Sequence, residues 1–133
     1  MNKNELTAAA LKAKENAHAQ FSNFKVGAAL LSKSGKVYTG SNVESSSYGL
    51  TICAERVALV KALSEGENEF AAIAVVTQSG ASPCGACRQL LWDYTKDIPV
   101  YVSNFEGNIT EYNLAELLTH PFEFNKPIEG DEP

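Results

Sequence analysis

The sequence predicts an α/β fold of three layers, in which helices cover both faces of a mixed sheet of about five strands. Segments with the apolar pattern of strands alternate along the chain with segments whose composition favours helices, an order typical of this architecture. The first two strands instead follow one another directly, through a short connection that contains Gly35, so we expect an antiparallel hairpin. A chain of 133 residues is long enough to form one domain with a buried core.

The N-terminal part is predicted to form a helix followed by this hairpin. Residues 4–20 are rich in alanine, lysine and glutamate, and their small apolar side chains recur at helical spacing. A stripe of small side chains suits close packing on a sheet. Residues 21–24 are predicted as the loop that follows, and the two hairpin strands are predicted at residues 26–31 and 36–43.

The later elements follow the same alternation. Residues 53–64 are mostly apolar and are predicted to form a helix. Residues 70–77, the most apolar run, are predicted as a central strand buried on both faces. Pro83 is predicted to open a second helix over residues 83–94, because its fixed φ suits the first helical position. Two short strands and a final helix, capped by Asn113, are predicted at residues 99–103, 109–112 and 114–118.

The composition argues against several classes of partner. Sixteen acidic residues against eleven basic ones give a net charge of −5, which disfavours a nucleic-acid polymer and suits a small uncharged substrate. No run approaches the roughly 18 apolar residues of a membrane-spanning helix. The charged N-terminal stretch does not have the pattern of a signal peptide. We therefore expect no membrane partner and a cytoplasmic location.

The three cysteines lie in two short segments and can form one metal site. Cys53 falls at the start of one predicted helix, and Cys84 and Cys87 fall in the first turn of another. Residues three apart share a helix face, and helix N-termini favour the thiolate that binds a metal. Three thiolates would leave the fourth position of one zinc ion to water, as in catalytic sites. His18 and His120 lack the spacing expected of a fourth ligand and are predicted to be ordinary surface residues.

The spacing of the cysteines does not by itself single out a metal site. A lone Cys-x-x-Cys can be a redox pair, and three buried cysteines can be ordinary core residues. An odd number of cysteines speaks against a disulfide framework. A closed structural zinc site would need a fourth protein ligand, which the sequence does not offer at a suitable spacing.

The charge of such a site predicts a role for a nearby arginine. Three thiolates around a dication leave a net negative charge, which opposes the ionisation of a bound water. Arg56 and Arg88 follow the two cysteine segments and could supply positive charge. Arg56 is the stronger candidate for charge compensation, because it shares the first helical turn with Cys53. The alternative is an ordinary solvated arginine on a helix surface.

Glu55 lies two residues beyond Cys53 and is the candidate proton carrier. A carboxylate beside a metal-bound water can accept its proton and pass it to the substrate. The alternative is an acidic residue that stabilises the first turn of a helix through the helix dipole.

These residues carry a resemblance to a known family. Cys-Ala-Glu at 53–55, followed by Pro-Cys-Gly-Ala-Cys-Arg-Gln at 83–89, resembles the signature of zinc-dependent deaminases. Residues 24–30, 35–38, 40–44 and 116–118 are similar to segments of the small, homotetrameric cytidine deaminases. The similarity covers about residues 20–122, nearly the whole domain.

The resemblance implies hydrolysis of cytidine and deoxycytidine to uridine and deoxyuridine with release of ammonia, a reaction of pyrimidine salvage. It implies that zinc-bound water attacks the base while Glu55 shuttles the proton. It also implies a homotetramer whose subunits send aromatic residues into neighbouring active sites. The residues implied to act are the zinc ligands Cys53, Cys84 and Cys87, the ribose-binding Asn42 and Glu44, Phe24 on the pyrimidine, the Ala54 backbone at the base, and Phe122 at a neighbouring site.

The sequence around these positions is consistent with the implied roles. Asn42 and Glu44 are two residues apart at the end of a predicted strand, so both face one side. Phe24 lies in a predicted loop, where its ring can face a ligand. Phe122 and Phe124 have too little chain after them for their own domain to bury them. We expect residues 1–124 to form the catalytic domain and the acidic residues 125–133 to form a flexible tail.

Four alternative functions are weighed against this resemblance. Blasticidin S deaminases are similar in length but lack a carboxylate matching Glu44. Deaminases of tRNA, DNA or mononucleotides should carry basic residues for phosphate, and the net charge disfavours them. A thiol redox protein needs neither Glu55 nor a third cysteine, and a non-catalytic zinc module needs a fourth ligand. The sequence departs from the family at Ser45-Ser46, where Asn-Ala is frequent, and in its acidic end.

Overall fold

The computed structural model describes residues 1–123, which form a five-stranded mixed sheet between helices. This confirms the predicted fold class. The strands are ordered β2-β1-β3-β4-β5 across the sheet. In chain order the elements are α1 (Lys3–Ala13), β1 (Gly27–Ser32), β2 (Val37–Ser41), α2 (Ala54–Ser64), β3 (Phe70–Val76), α3 (Gly85–Thr95), β4 (Pro99–Ser103), β5 (Ile109–Asn113) and α4 (Leu114–Leu117).

The pairing of the strands follows from their connections. β1 is antiparallel to β2 and to β3, with Leu30 opposite Tyr38 on one side and Ile73 on the other. β3 is parallel to β4, because α3 carries the chain back across the sheet between them. β5 returns antiparallel to β4. β3 therefore occupies the centre, and its residues are buried on both faces as predicted.

Alternating residues of the strands face two separate apolar clusters. Ala29 and Ala74 belong to the cluster formed with α1 on one face of the sheet. Leu30, Ile73 and Val75 belong to the cluster formed with α2, α3 and α4 on the other face. The period of two in a strand produces this division, so the domain has the three layers that the sequence predicts.

Two glycines let helices approach the sheet closely. A Cβ atom at Gly27 would lie 1.9 Å from the backbone oxygen of Ala10 in α1. A Cβ atom at Gly40 would lie 2.5 Å from the backbone oxygen of Ala54 at the start of α2. Both positions exclude any side chain, and the second fixes how closely α2 approaches the hairpin.

The first helix is shorter than predicted. α1 ends at Ala13 and continues only as a 3-10 turn over Lys14–Asn16, whereas the prediction extended to residue 20. The backbone N–H of His18 donates to the carbonyl of Asn42, and the carbonyl of His18 accepts from the N–H of Glu44. Pairing with this distant segment replaces helical hydrogen bonds, so tertiary contacts outweigh the local preference for helix.

The start of the second predicted helix is also different. α3 begins at Gly85, and Cys84 is its N-cap residue with an extended backbone. The prediction that Pro83 occupies the first helical position is therefore wrong, because Pro83 lies buried in the preceding loop. At the end of the domain, Asn113 caps α4 as predicted and forms a reciprocal pair of hydrogen bonds with Glu116. Phe124 and the predicted tail 125–133 lie outside the described residues.

Among the described residues 1–123, none of the helices has the length and apolar character needed to cross a membrane.

Candidate metal and catalytic site

The three cysteines lie at the N-terminal ends of α2 and α3. Cys53 and Cys84 are the N-cap residues of these helices, both with an extended backbone, and Cys87 lies in the first turn of α3. The two helix ends are brought together by packing on the same face of the sheet. The exposed N–H groups and the dipoles of both helices favour negative charge at this point.

The sulfur atoms of the three cysteines lie within 4.8 Å of one another. Cys84 Sγ and Cys87 Sγ are 3.4 Å apart, and all three cysteines are free thiols. In residues 1–123 no histidine joins this cluster, which agrees with the surface positions predicted for His18 and His120.

The thiols influence each other's ionisation. A hydrogen bond from Cys87, followed by the contact with Arg56, holds the pKa of Cys53 well below its ordinary value. The same bond to Cys53, together with burial, raises the pKa of Cys87. The charged form is therefore favoured at Cys53 and disfavoured at Cys87. A dication would remove the repulsion that opposes further ionisation.

The two arginines that follow the cysteines have different partners. Arg56 Nη2 lies 3.8 Å from Cys53 Sγ and donates to the carbonyl of Thr51 at 3.0 Å. This is the position predicted for a charge-compensating arginine. Arg88 instead donates through its guanidinium to three oxygen atoms, the first being the carbonyl of Pro83.

Glu55 lies beside the cluster and is only 5% exposed. Burial raises the pKa of its carboxyl to about 6, with a further contribution from the charge of Cys53. A carboxyl with a pKa near neutrality can both accept and donate a proton, as a general acid and base requires. The helix-dipole alternative describes the position of Glu55 in the first turn of α2 but not its burial beside the sulfurs.

A cavity of about 490 Å³ connects the cysteines with the other predicted site residues. This volume lies in the usual range for small-molecule sites. Seven of the predicted site residues lie on the wall of this cavity: Phe24, Asn42, Glu44, Cys53, Ala54, Glu55 and Cys84. Cys87 and Arg56 lie outside the wall, and Phe122, which is 66% exposed, is not part of it either.

Asn42 holds the loop that follows Phe21 against the end of β2. Its Oδ1 accepts from the N–H of Val26 at 2.9 Å, and its Nδ2 donates to the carbonyl of Phe24 at 2.8 Å. Asn42 is 6% exposed, so these bonds satisfy a side chain that is almost fully buried. The second hydrogen of Nδ2 leaves a donor for a ligand.

Glu44 is held by the same loop. Its Oε1 accepts from the N–H groups of Phe21 and Ser22, each at 3.0 Å, and its Oε2 accepts from the hydroxyl of Ser22. These bonds, led by that from the Ser22 hydroxyl, hold the pKa of Glu44 below its ordinary value. The carboxylate is thus charged and oriented before a ligand arrives.

Several wall residues were not identified from the sequence. Ser22 orients Glu44, and its hydroxyl also accepts from the N–H of Phe24 at 3.0 Å. Thr51 and Ser82 line the cavity and accept hydrogen bonds from Arg56 and Arg88 respectively. Serine and threonine in loops are common, so only their position in space distinguishes these residues. For Thr51, the polar stretch of residues 44–51 before Cys53 is a sequence signal of a loop, and it does not extend to Ser22 or Ser82.

The cluster fits a zinc ion. Three sulfur ligands on two helix ends, with an arginine at one sulfur, form a set that soft thiolate-binding metals prefer. Because the described residues offer no fourth ligand, one position remains for a non-protein ligand, which distinguishes this set from a closed structural site.

Comparison with known proteins agrees with this geometry. A family model described as the cytidine and deoxycytidylate deaminase zinc-binding region matches residues 1–102. A cytidine deaminase from Halalkalibacterium halodurans is 48% identical over 125 residues, which cover 92% of this chain and 95% of that protein. A crystal structure of cytidine deaminase from Burkholderia pseudomallei has a TM-score of 0.89 at 46% identity, covering 92% of this chain and 100% of that chain. The chain therefore belongs to the family of cytidine and deoxycytidylate deaminases with a zinc-binding region.

The comparisons also rank the alternatives. A blasticidin-S deaminase from Bacillus cereus is 31% identical over 103 residues, which cover 70% of this chain and 73% of that protein. This similarity is weaker and shorter than that to the cytidine deaminase from Halalkalibacterium halodurans. Membership of a zinc deaminase family also removes the case for a thiol redox protein and for a non-catalytic zinc module. The zinc cofactor that the cysteines predict is confirmed at the level of the family.

Proposed function

We propose that this protein hydrolyses cytidine and deoxycytidine to uridine and deoxyuridine, with release of ammonia. The observation that carries the proposal is a buried carboxyl, Glu55, which lies beside three clustered thiols and on the wall of a cavity of about 490 Å³. The relatives named cytidine deaminase support the choice of substrate.

Cys53, Cys84 and Cys87 would hold the zinc ion. When bound, zinc lowers the pKa of a water molecule and so supplies a nucleophile for C4 of the cytosine ring. Glu55 would carry the two protons of this water in turn, one to N3 of the ring and one to the amino group, which leaves as ammonia while the oxygen stays on C4 as the carbonyl of the product. Its raised pKa suits both transfers, because the carboxyl must alternate between two protonation states. Arg56 offsets the negative charge of the sulfurs.

The remaining wall residues would orient the nucleoside. Glu44 and the free hydrogen of Asn42 Nδ2 bind the ribose hydroxyls, Phe24 packs on the pyrimidine, and the Ala54 backbone contacts the base. Glu44 is suited to this role because a charged acceptor makes stronger hydrogen bonds to hydroxyl groups. The net charge of −5 further favours a nucleoside over a nucleotide, whose phosphate would be repelled.

We also propose that the protein acts as a homotetramer. Tyr48 and Leu50 are 85% and 69% exposed, and they precede Ile52 in the chain. Ile52 and its backbone partner Val43 are also exposed, at 42% and 40%. An exposed apolar group of this size favours contact with another subunit. In such an assembly Phe122 would contribute to a neighbouring active site. Light scattering after size-exclusion chromatography tests the assembly, and a monomer at micromolar concentration would contradict it.

The free thiols are consistent with a reducing compartment, and we propose that the enzyme acts in the cytoplasm, in the salvage of pyrimidines.

The substrate is tested by the loss of ultraviolet absorbance on mixing the protein with cytidine, deoxycytidine, cytosine, dCMP and blasticidin S. We expect reaction with the two nucleosides alone, one zinc per chain by elemental analysis, and loss of activity on treatment with a chelator that added zinc reverses. Faster turnover of blasticidin S than of cytidine would identify a blasticidin S deaminase instead. Activity in protein that contains no metal would contradict the zinc-dependent mechanism.

A further inference from the structure

Arg88 directs every hydrogen bond of its guanidinium toward oxygen, unlike Arg56. Its Nε donates to the carbonyl of Pro83 at 2.6 Å, and its Nη2 donates to the hydroxyl of Ser82 at 2.7 Å. Its Nη1 donates to the carbonyl of Leu117 at 2.7 Å. A planar guanidinium can satisfy three acceptors in fixed directions, whereas an ammonium group cannot reproduce that arrangement.

Two of these acceptors belong to the loop that delivers a zinc ligand. Pro83 is buried and directly precedes Cys84, and Ser82 lines the cavity. The backbone N–H of Arg88 also donates to the carbonyl of Cys84 at 3.0 Å. The side chain of Arg88 therefore holds Ser82 and Pro83, the two residues before the ligand Cys84. The backbone bond to Cys84 belongs to the first turn of α3 and does not depend on the side chain.

The third acceptor anchors this loop to another element. Leu117 is the last residue of α4, and its carbonyl is available because a helix leaves its final carbonyls without intrahelical partners. The guanidinium of Arg88 thus joins the ligand loop to the end of α4. Leu117 lies 29 residues beyond Arg88 in the chain.

The neighbouring Gln89 holds the same C-terminal segment by separate bonds. Its Nε2 donates to the carbonyl of Phe122 at 2.8 Å, and its Oε1 accepts from the N–H of Phe122 at 3.0 Å. The hydrogen bonds of Gln89 reach no residue of the loop 82–84. A Gln89 variant is therefore a control for Arg88. It loosens the C-terminal segment but leaves the hydrogen bonds to the ligand loop intact.

We propose that Arg88 is a positioning residue that holds Cys84 at the distance zinc binding requires, and that it slows the release of zinc through geometry rather than through charge. Removing its side chain frees the Pro83 and Leu117 carbonyls and the Ser82 hydroxyl at once. The Cys84 ligand can then leave the ion without the rest of the domain unfolding. Partners of metal ligands typically contribute about 10- to 100-fold in metal affinity or activity.

The test measures the rate of zinc release from the intact holoenzyme to a chromogenic chelator, without substrate. Arg88→Ala should release zinc about 10- to 100-fold faster than the unmodified protein. Arg88→Lys should also be fast, although it keeps the charge. Gln89→Ala should release zinc at nearly the unmodified rate. The unfolding rate, followed by circular dichroism, should be slower than zinc release in each variant.

Three results would overturn the proposal: an unchanged rate in Arg88→Ala, full recovery in Arg88→Lys, or equal acceleration in Gln89→Ala. If Arg88→Ala does not fold, Ser82→Ala removes one of the three acceptors and should accelerate release by a few-fold, and no change in that variant would equally contradict the proposal. The inference rests on the zinc site and not on the substrate, so the absorbance test above can fail while this one succeeds.

Discussion

Two sides of the cavity are built in different ways. The metal side consists of the three cysteines, Glu55 and Arg56, and the loop side consists of Ser22, Phe24, Asn42 and Glu44. On the metal side, the ligands and Glu55 lie at the N-terminal ends of two helices. Helical geometry places Glu55 near Cys53 and Cys87 near Cys84, and the packing of α2 and α3 on one face of the sheet brings the two helix ends together. On the loop side, Asn42 and Glu44 reach their positions through hydrogen bonds to residues 16 to 23 positions away. Positions within each helix end of the metal side therefore follow from local structure, whereas the loop side is arranged by contacts between distant residues.

This difference separates two kinds of functional effect. Changes on the metal side should alter turnover or metal content, because those residues would act on the reacting atoms or on the ion. Changes on the loop side should mainly alter KM, because those residues would hold the nucleoside and leave the zinc site intact. Four substitutions test this division.

The largest effect is expected on the metal side, at Glu55. Glu55→Ala should lower kcat by at least about 100-fold and as much as about 10,000-fold, because it removes the carboxyl that lies beside the thiols on the cavity wall. Zinc content should remain near one per chain. The isosteric Glu55→Gln serves as a control for lost packing and should be equally inactive. Near-normal turnover in either variant would remove Glu55 from the proton transfer.

Arg56 should show the next largest effect. Arg56→Ala should reduce zinc content and lower turnover by about 10- to 100-fold, because the sulfurs lose their compensating charge. Arg56→Lys should recover part of both, since charge is the property that matters at this position. Elemental analysis and steady-state kinetics on the same preparations measure the two effects. A variant with full zinc and unchanged rate would show that Arg56 has no such role.

On the loop side, substitution of Glu44 should change substrate binding rather than turnover. Glu44→Gln should raise KM for cytidine by about 10-fold, the value of one charge-assisted hydrogen bond. Its zinc content and its kcat should stay close to those of the unmodified protein. A fall in zinc content would contradict the division between the two sides of the cavity.

The smallest effect is expected at Ser22, which would act through Glu44. Ser22→Ala removes one neutral partner of a charged carboxylate, so KM should rise by about 2- to 10-fold. The double variant Ser22→Ala, Glu44→Gln should be no worse than Glu44→Gln alone, because the hydroxyl has then lost the charge it orients. Additive effects would show that Ser22 acts independently.

The sequence was most informative where spacing along one element decides the outcome. The i, i+3 relation predicts that Cys84 and Cys87 face one ion, and both sulfurs do lie together. The alternation of elements likewise predicts the mixed sheet, and the central strand has the expected burial. Those predictions hold because they concern the interiors of elements or neighbouring positions at one helix end, where spacing along the chain fixes which side chains share a face.

The predictions that failed concern the ends of elements. The first helix stops at Ala13, because His18 pairs with the backbone of Asn42 and Glu44. Pro83 does not begin α3, because Cys84 adopts the extended N-cap conformation. Neither result can be read from local preference, since each depends on hydrogen-bond partners supplied elsewhere in the fold.

The periodicity of the chain predicts the fold class, and its cysteine and glutamate motifs carry the resemblance that implies the zinc ligands and the proton carrier, because both signals lie within short stretches of sequence. Only the tertiary structure distinguishes the two arginines: Arg56 lies at a sulfur, and Arg88 lies among three oxygens. It also reveals Ser22 beside Glu44. The physical reason is that a polar side chain acquires its role from the groups that satisfy its hydrogen bonds, and folding brings those groups from remote parts of the chain.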